Sequence, residues 1–261
     1  MDSYIIGAAT ILMSCVFSVF GLLITRKFFD MDKLKASHDV GGYLISVVGT
    51  LYAVLLGLVV VDSMQKFQDA RDVTEKEATA LADVFVLAGR LPEPKSKVVR
   101  NLCRDYVDLV MDREWQAMDD GKYSPEARLA AVDLMKVLID FEPTTENQKA
   151  LYPQMVSDVS QVWQSRRSRV SAAVNGLPEV EWITLLVGGA VTVFFTYFFC
   201  LENLKLQIVM TVMVAMLISL NLDLILLFAY PFSGDLRVGV DAFALDRDIF
   251  DHHQDGLGTQ N

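Results

Sequence analysis

Residues 41–90 read GGYLISVVGTLYAVLLGLVVVDSMQKFQDARDVTEKEATALADVFVLAGR, and two regimes meet in this stretch without a break. Residues 41–61 are apolar apart from the mildly polar Tyr43, Ser46, Thr50 and Tyr52, and about 20 such residues cross a hydrocarbon core of about 30 Å as a helix. From Asp62 onward the chain is charged. Yet one pattern of steps of four and three runs through both parts: Ser46, Thr50, Ala53, Gly57, Val60, Met64, Phe67, Arg71, Thr74, Ala78, Leu81 and Phe85. Such steps mark one helix face. The spacing therefore predicts a single helix that leaves the membrane and ends near Arg90. On its other side, Asp62 with Lys66 and Asp72 with Lys76 stand at i,i+4 with the acid first, the favourable order for a solvated face.

Three further stretches are long and apolar enough to span: 5–24, 182–200 and 206–230. The first lacks a basic n-region and a small-residue cleavage pattern, so it is expected to be retained; Arg26 and Lys27 close it. The third closes on Glu202, and only Asn203 and Lys205 separate it from the fourth, which predicts a tight antiparallel hairpin. Apolar residues make up 52% of the chain, and their segregation into these four blocks sets the class. The fold expected is an all-α membrane protein with four transmembrane helices. The second continues into a helical extramembrane domain, and copies assemble as a homo-oligomer around a central axis. The divisions are 1–61 (helices 1 and 2), 62–180 (extramembrane domain), 181–231 (helices 3 and 4) and 232–261 (tail).

Helix punctuation is explicit within the extramembrane domain. Leu91-Pro92-Glu93-Pro94 breaks one helix, Asp120-Gly121 stops the next, and Ser124-Pro125 supplies an N-cap and an N1 proline. Phe141-Glu142-Pro143 ends the helix so started. Thr145 with Gln148 has capping-box spacing, and Asn175-Gly176 ahead of Pro178 is a stop. The tail, with acids at Asp241, Asp246, Asp248, Asp251 and Asp255, is expected to start docked and end frayed.

The net charge of −10 excludes nucleic acid as a partner, since phosphate binding needs a Lys/Arg surface. Cys15, Cys103 and Cys200 are far apart, and His38, His252 and His253 lie outside the spans, so no disulfide framework, metal site or cofactor is read. The chain has no nucleophile–base pair, His-rich metal motif or Gly-rich phosphate loop, and it is read as no enzyme.

Two constellations remain. In the second span the small and hydroxyl residues Ser46, Gly49, Thr50, Ala53 and Gly57, with Val60, are candidates to line a pore, and Met64, Phe67, Arg71 and Thr74 to line a neck or vestibule beyond it. The alternative is a dry stripe of close helix packing. In the fourth span Asn221 and Asp223 are polar inside an apolar run; an intramembrane carboxylate marks an ion path or a buried pair, unless the span ends early and leaves Asp223 at the headgroups. Met210, Met213 and Met216 nearby read as apolar packing.

Gly49-Thr50-Leu51-Tyr52-Ala53 with Leu56-Gly57, Ala70-Arg71, Glu77-Ala78 and the closing Pro231-Phe232-Ser233-Gly234-Asp235-Leu236 together resemble the bacterial bestrophin-like family, over nearly the whole chain. True bestrophins are homopentameric channels, mostly for chloride in animals, with a bacterial relative that passes cations. Their second helix lines the pore. The resemblance implies a homo-oligomeric ion channel, a tetramer or pentamer of this chain in the lipid bilayer. The chain departs from the family pattern at Ala229-Tyr230, where many members carry an acid, and shows no counterpart of the acidic calcium clasp of the animal proteins.

Pore chemistry and resemblance point to different ions. Hydroxyls, backbone and acids without a buried Lys or Arg favour monovalent cations, potassium or sodium; the bestrophin likeness suggests chloride. A third reading, from another class, is a non-conducting membrane scaffold or sensor whose helical domain binds a partner. Four spans place both termini and the 62–180 domain on one side of what is read as a bacterial inner membrane. Arg26, Lys27, Lys33 and Lys35 argue that the first loop is cytoplasmic, whereas Lys66, Arg71, Lys76, Arg166, Arg167 and Arg169 argue for the domain, so the side stays open.

Overall fold

The computed structural model describes residues 2–28, 38–198, 201 and 203–255. Lys33, Lys35, Cys200 and Glu202, the tail past Asp255, and the side chains of His38 and His253 lie outside the described residues. All regular structure among the described residues is helical: α1 Asp2–Phe28, α2 His38–Ala88, α3 Lys95–Leu109, a π turn Val110–Glu114, α4 Trp115–Asp119, α5 Pro125–Ile139, α6 Glu146–Val174, α7 Glu179–Tyr197, α8 Leu204–Ala229 and α9 Asp241–Asp255. Four of the helices are long and apolar enough to cross a membrane, as the hydropathy pattern requires. The helix predicted to leave the membrane is uninterrupted over 51 residues.

The chain divides into two compact units, residues 1–66 with 177–229 and residues 67–176 with 230–261. In the first, α1 packs along α8 and α7. Glycines make the close approaches. The Tyr52 ring lies on Gly188 and Gly189 of α7, and a Cβ on Gly188 would stand 2.5 Å from Tyr52 Cδ2. The Tyr52 hydroxyl donates to the Leu185 carbonyl at 2.9 Å, which satisfies the polar tip of a buried ring. Tyr197 of α7 lies in the same way over Gly21 of α1. Around Tyr52 and Leu56 the core is completed by Leu185, Ile225 and Ala229. At the other end of the unit the Arg26 guanidinium donates to the Leu201 carbonyl.

The second unit is a helical bundle around the distal half of α2, with Leu81, Val84 and Phe85 buried among Val99, Tyr106, Leu134, Leu138 and Val159. Its helix ends form where the sequence marks them. Ser124 Oγ accepts from the Ala127 N–H at 3.2 Å with Pro125 at N1, and Thr145 and Gln148 cap each other reciprocally. Gly121 takes φ +68°, a left-handed conformation that glycine adopts without a Cβ clash. The π turn inside the 95–119 helix has no signal in the sequence. The tail docks on this unit: Phe232, Phe243 and Phe250 are fully buried.

Candidate functional site

In the membrane-spanning part α2 has three faces. One packs within the chain through Tyr52 and Leu56, with Leu55, Val59 and Val60 beside them. A second carries large exposed apolar side chains: Leu51, Val54, Leu58 and Val61. The third carries Ser46, Thr50, Ala53 and Gly57, all exposed, and Gly49. No atom lies within 4 Å of the place a Cβ would take on Gly49 or on Gly57. Among the described residues, the stripe of small residues is therefore not used for packing against other parts of this chain. Val60 stands at its edge, half-buried against the Tyr52–Leu56 cluster. The hydroxyls on the free face are bound to their own helix, Ser46 donating to the Gly42 carbonyl at 2.9 Å and Thr50 to the Ser46 carbonyl at 2.6 Å. With each proton so used, the two oxygens present lone pairs outward, which makes them acceptors.

Of the residues expected along a neck, Met64 is exposed and Phe67 half-buried. Arg71 is exposed, but its Nε donates to Glu75 at 3.0 Å. Thr74 departs from the expectation: it is 1% exposed, and its hydroxyl donates to the Ala70 carbonyl at 2.8 Å. Ala78, Leu81 and Phe85 follow it into the core of the second unit, so beyond Arg71 the repeat finds its partners in its own chain. The cause is geometric. A seven-residue repeat on a straight helix of 3.6 residues per turn drifts by about 20° per heptad. The pattern from Ser46 to Phe85 thus rotates by roughly 110°, enough to carry it from the free face round to the packed one.

The polar pair of the fourth span lies elsewhere. Asp223 on α8 lies over Gly7 of α1, where a Cβ would stand 2.5 Å from both carboxylate oxygens. Asn221 donates to the Leu217 carbonyl of its own helix at 2.8 Å. The carboxylate thus belongs to the contact between α1 and α8, and the glycine at position 7 makes room for it.

Sequence reasoning missed a buried charge cluster in the second unit. Glu77 of α2 and Glu114 of the π turn are fully buried. Arg169 of α6 donates to both, through Nε and Nη2 to Glu77 at 2.8 Å and through Nη2 to Glu114 at 2.9 Å. Arg166 pairs with Glu114 and also reaches the Ser124 carbonyl at 3.3 Å. Tyr106 donates to Glu77, and its phenol is held well above the ordinary value by burial and by the Glu77 charge. Burial works against the Arg169 charge, but Glu77 and Glu114 outweigh it and raise the group. Two acids and two guanidiniums leave the cluster neutral, the condition under which burying ions is tolerable. The Arg169 guanidinium also sits 5.1 Å from the Trp115 ring and 5.6 Å from Phe243. Arg166 and Arg169, counted in the sequence as charge flanking a membrane end, are consumed here. The available signal was their place on the apolar face of α6, in step with Met155, Val159 and Val162.

The closing Pro231-Phe232-Ser233-Gly234 turn is part of the same structure. Gly234 takes φ +77°, the Val238 N–H donates to the Pro231 carbonyl at 2.8 Å, and Phe232 meets the Trp115 ring edge-on at 5.7 Å between centroids. Trp115 Nε1 donates to the Val238 carbonyl at 3.3 Å. Tyr230 covers Gly176, just ahead of α7.

Comparison with known proteins agrees with this architecture. A family model described as a Bestrophin-like domain matches residues 12–243. No curated protein sequence matches. Among solved structures, a bacterial bestrophin homologue from Klebsiella pneumoniae superposes with a TM-score of 0.68 at 12% identity, covering 92% of this chain and 97% of that one. A variant of that homologue gives 0.67 at 14% identity over 95% and 99% of the two chains. A structure described as a membrane protein gives 0.70 at 11% identity over 96% and 99%. At these identities the likeness is one of fold.

Proposed function

The chain belongs to the bestrophin-like family, and from that premise we propose that it assembles as a homo-oligomeric channel for small monovalent ions, tetrameric or pentameric, with the small-residue face of α2 lining the pore. The observation that carries this reading is the division of α2 into one face used within the chain and two that are not. Large apolar side chains such as Leu51, Val54 and Leu58 suit lipid or a neighbouring copy. Ser46, Thr50, Ala53 and Gly57 offer little apolar surface to either, and they suit a lumen. Gly49 and Val60 flank that lumen, and Met64, Phe67 and Arg71 continue toward a vestibule. Asn221 and Asp223 play no part in this path.

Cations, potassium or sodium, are favoured over chloride. Ser46 and Thr50 expose oxygen lone pairs, which coordinate cations and repel anions, and the stretch 42–61 carries no Lys or Arg. Arg71, the nearest cation along the helix on the stripe, is paired with Glu75. The same reading places both termini and the 62–180 domain on one side of a bacterial inner membrane. Purified protein in liposomes tests it: a potassium or sodium gradient drives flux, and the reversal potential under a salt gradient follows the cation. A chloride-following potential assigns the pore to anions instead. Absence of flux under every gradient overturns the channel and leaves a membrane scaffold.

A further inference from the structure

The last helix carries a carboxylate that the proposed ion path does not use. Asp246 is 4% exposed, and its Oδ2 is enclosed without a hydrogen-bond partner among the described residues. It lies on the face of α9 that docks on the bundle. Three residues before it Phe243 is fully buried, and four after it Phe250 stacks on Phe85 of α2 with centroids 4.1 Å apart.

Among the described residues no cation is paired with this carboxyl. From α2 comes Asp83, of like charge. From α3 comes the Cys103 thiol, which burial keeps protonated. Arg104, also on α3, donates through Nη2 to the Phe250 carbonyl at 2.7 Å, with its guanidinium 5.0 Å over the Phe85 ring, and its Nε is itself buried without a partner among the described residues. Arg100 covers the same ring at 5.1 Å. At the outer edge of α9, Arg247 pairs with Asp108 at 3.3 Å. Asp158 of α6 is likewise buried with an unpartnered Oδ2, and it too feels Asp83.

We propose that α9 is a proton-dependent latch, docked on α3 and the end of α2 while Asp246 is protonated and released as Asp246 ionises beside Asp83. An unpaired buried carboxylate is far costlier than the buried acid, so ionisation is relieved by exposing the side chain, and its helix must move to do that. Burial, reinforced by Asp83, raises the carboxyl to about 7; in water it titrates at about 3.9. The docked state therefore holds more protons than the released one. Docking is tightest at low pH, weakens as pH rises above about 4, and levels off above about 7.

Hydrogen exchange of the full-length protein in nanodiscs, corrected for the intrinsic pH dependence of amide exchange, reads docking directly and owes nothing to ion flux. Protection of residues 241–252 is expected to fall at least tenfold between pH 5 and pH 8, while α5 stays constant. Asp246→Asn should keep α9 protected throughout. Asp83→Asn, at an exposed position, should move the midpoint to lower pH by removing the like charge. A flat wild-type profile, an unchanged slope in Asp246→Asn, or parallel loss in α5 would overturn the latch. Should the Asn variant at 246 not fold, equal midpoints in wild type and Asp83→Asn overturn it alone.

Discussion

Gly57 and Ala78 stand on the same four-and-three repeat of one helix, yet Gly57 has nothing within 4 Å of its absent Cβ, whereas Ala78 is buried in a bundle core. The two halves of α2 differ in what surrounds them more than in their own pattern. In the membrane-spanning half a single face suffices for contacts within the chain, and the repeat runs clear of it. In the extramembrane half α3, α5 and α6 gather on a broader face, and the repeat has drifted into it. A sustained repeat thus marks one continuous helix face without telling whether that face meets the same chain, another copy or a lumen.

The comparison breaks most sharply at Glu77. Glu77→Ala leaves Arg169 buried with half its counter-charge, and thermal unfolding in detergent should show a loss of about 3–5 kcal/mol, with Glu77→Gln milder because the amide oxygen still accepts. Glycine substitutions come next. Gly188→Val pushes into the Tyr52 ring and should destabilise by about 1–3 kcal/mol. Gly57→Val, on the free face of the facing helix, should leave the unfolding temperature unchanged while narrowing the path, so that liposome flux falls. Ser124→Ala removes a helix cap in the bundle and should lower stability by about 1 kcal/mol, with no effect on selectivity. The smallest stability effects come from the two threonines, each bound to its own helix. Thr50→Ala should shift the permeability ratio and Thr74→Ala should not, since only the first hydroxyl is exposed. Equal shifts from both would erase the distinction between the halves.

How far the sequence could be read follows the same division. Span positions, the continuity of α2, and the Ser124 and Thr145 caps rest on local chemistry, hydropathy and side chain-to-backbone hydrogen bonds a few residues apart, and these are legible in order along the chain. The fate of Thr74 was not legible, because the drift of the repeat matters only once the packed face is known. Glu77, Glu114, Arg166 and Arg169 look like ordinary surface charges one at a time; their meaning lies in complementarity between helices far apart in sequence. Asp223 drew attention for its position in an apolar run, but the glycine that accommodates it, Gly7, lies more than two hundred residues earlier. The Pro-Phe-Ser-Gly turn carried the resemblance to relatives, and its physical work is to seat Phe232 against Trp115.

The wide turn at Val110–Glu114 has a consequence for how that seat exists at all. The buried face of α3 runs through Val99, Cys103, Tyr106 and Val110. At 100° per residue, an unbroken α-helix would carry Trp115 roughly 140° away from the middle of that face, toward solvent. One residue more in the turn winds the downstream segment back by about 100°, which returns Trp115 and Met118 to the core. The turn works as a phase shifter, holding one residue more than an α-helix would over the same rise. It lets the helix before it answer to α2 and α9, and the helix after it answer to Arg169 and the closing turn, without either compromising the other. Winding residues 110–114 as regular α-helix with the sequence intact would turn the indole outward, and Phe232 would close on nothing; deleting one residue there would straighten the helix and keep the indole in its seat.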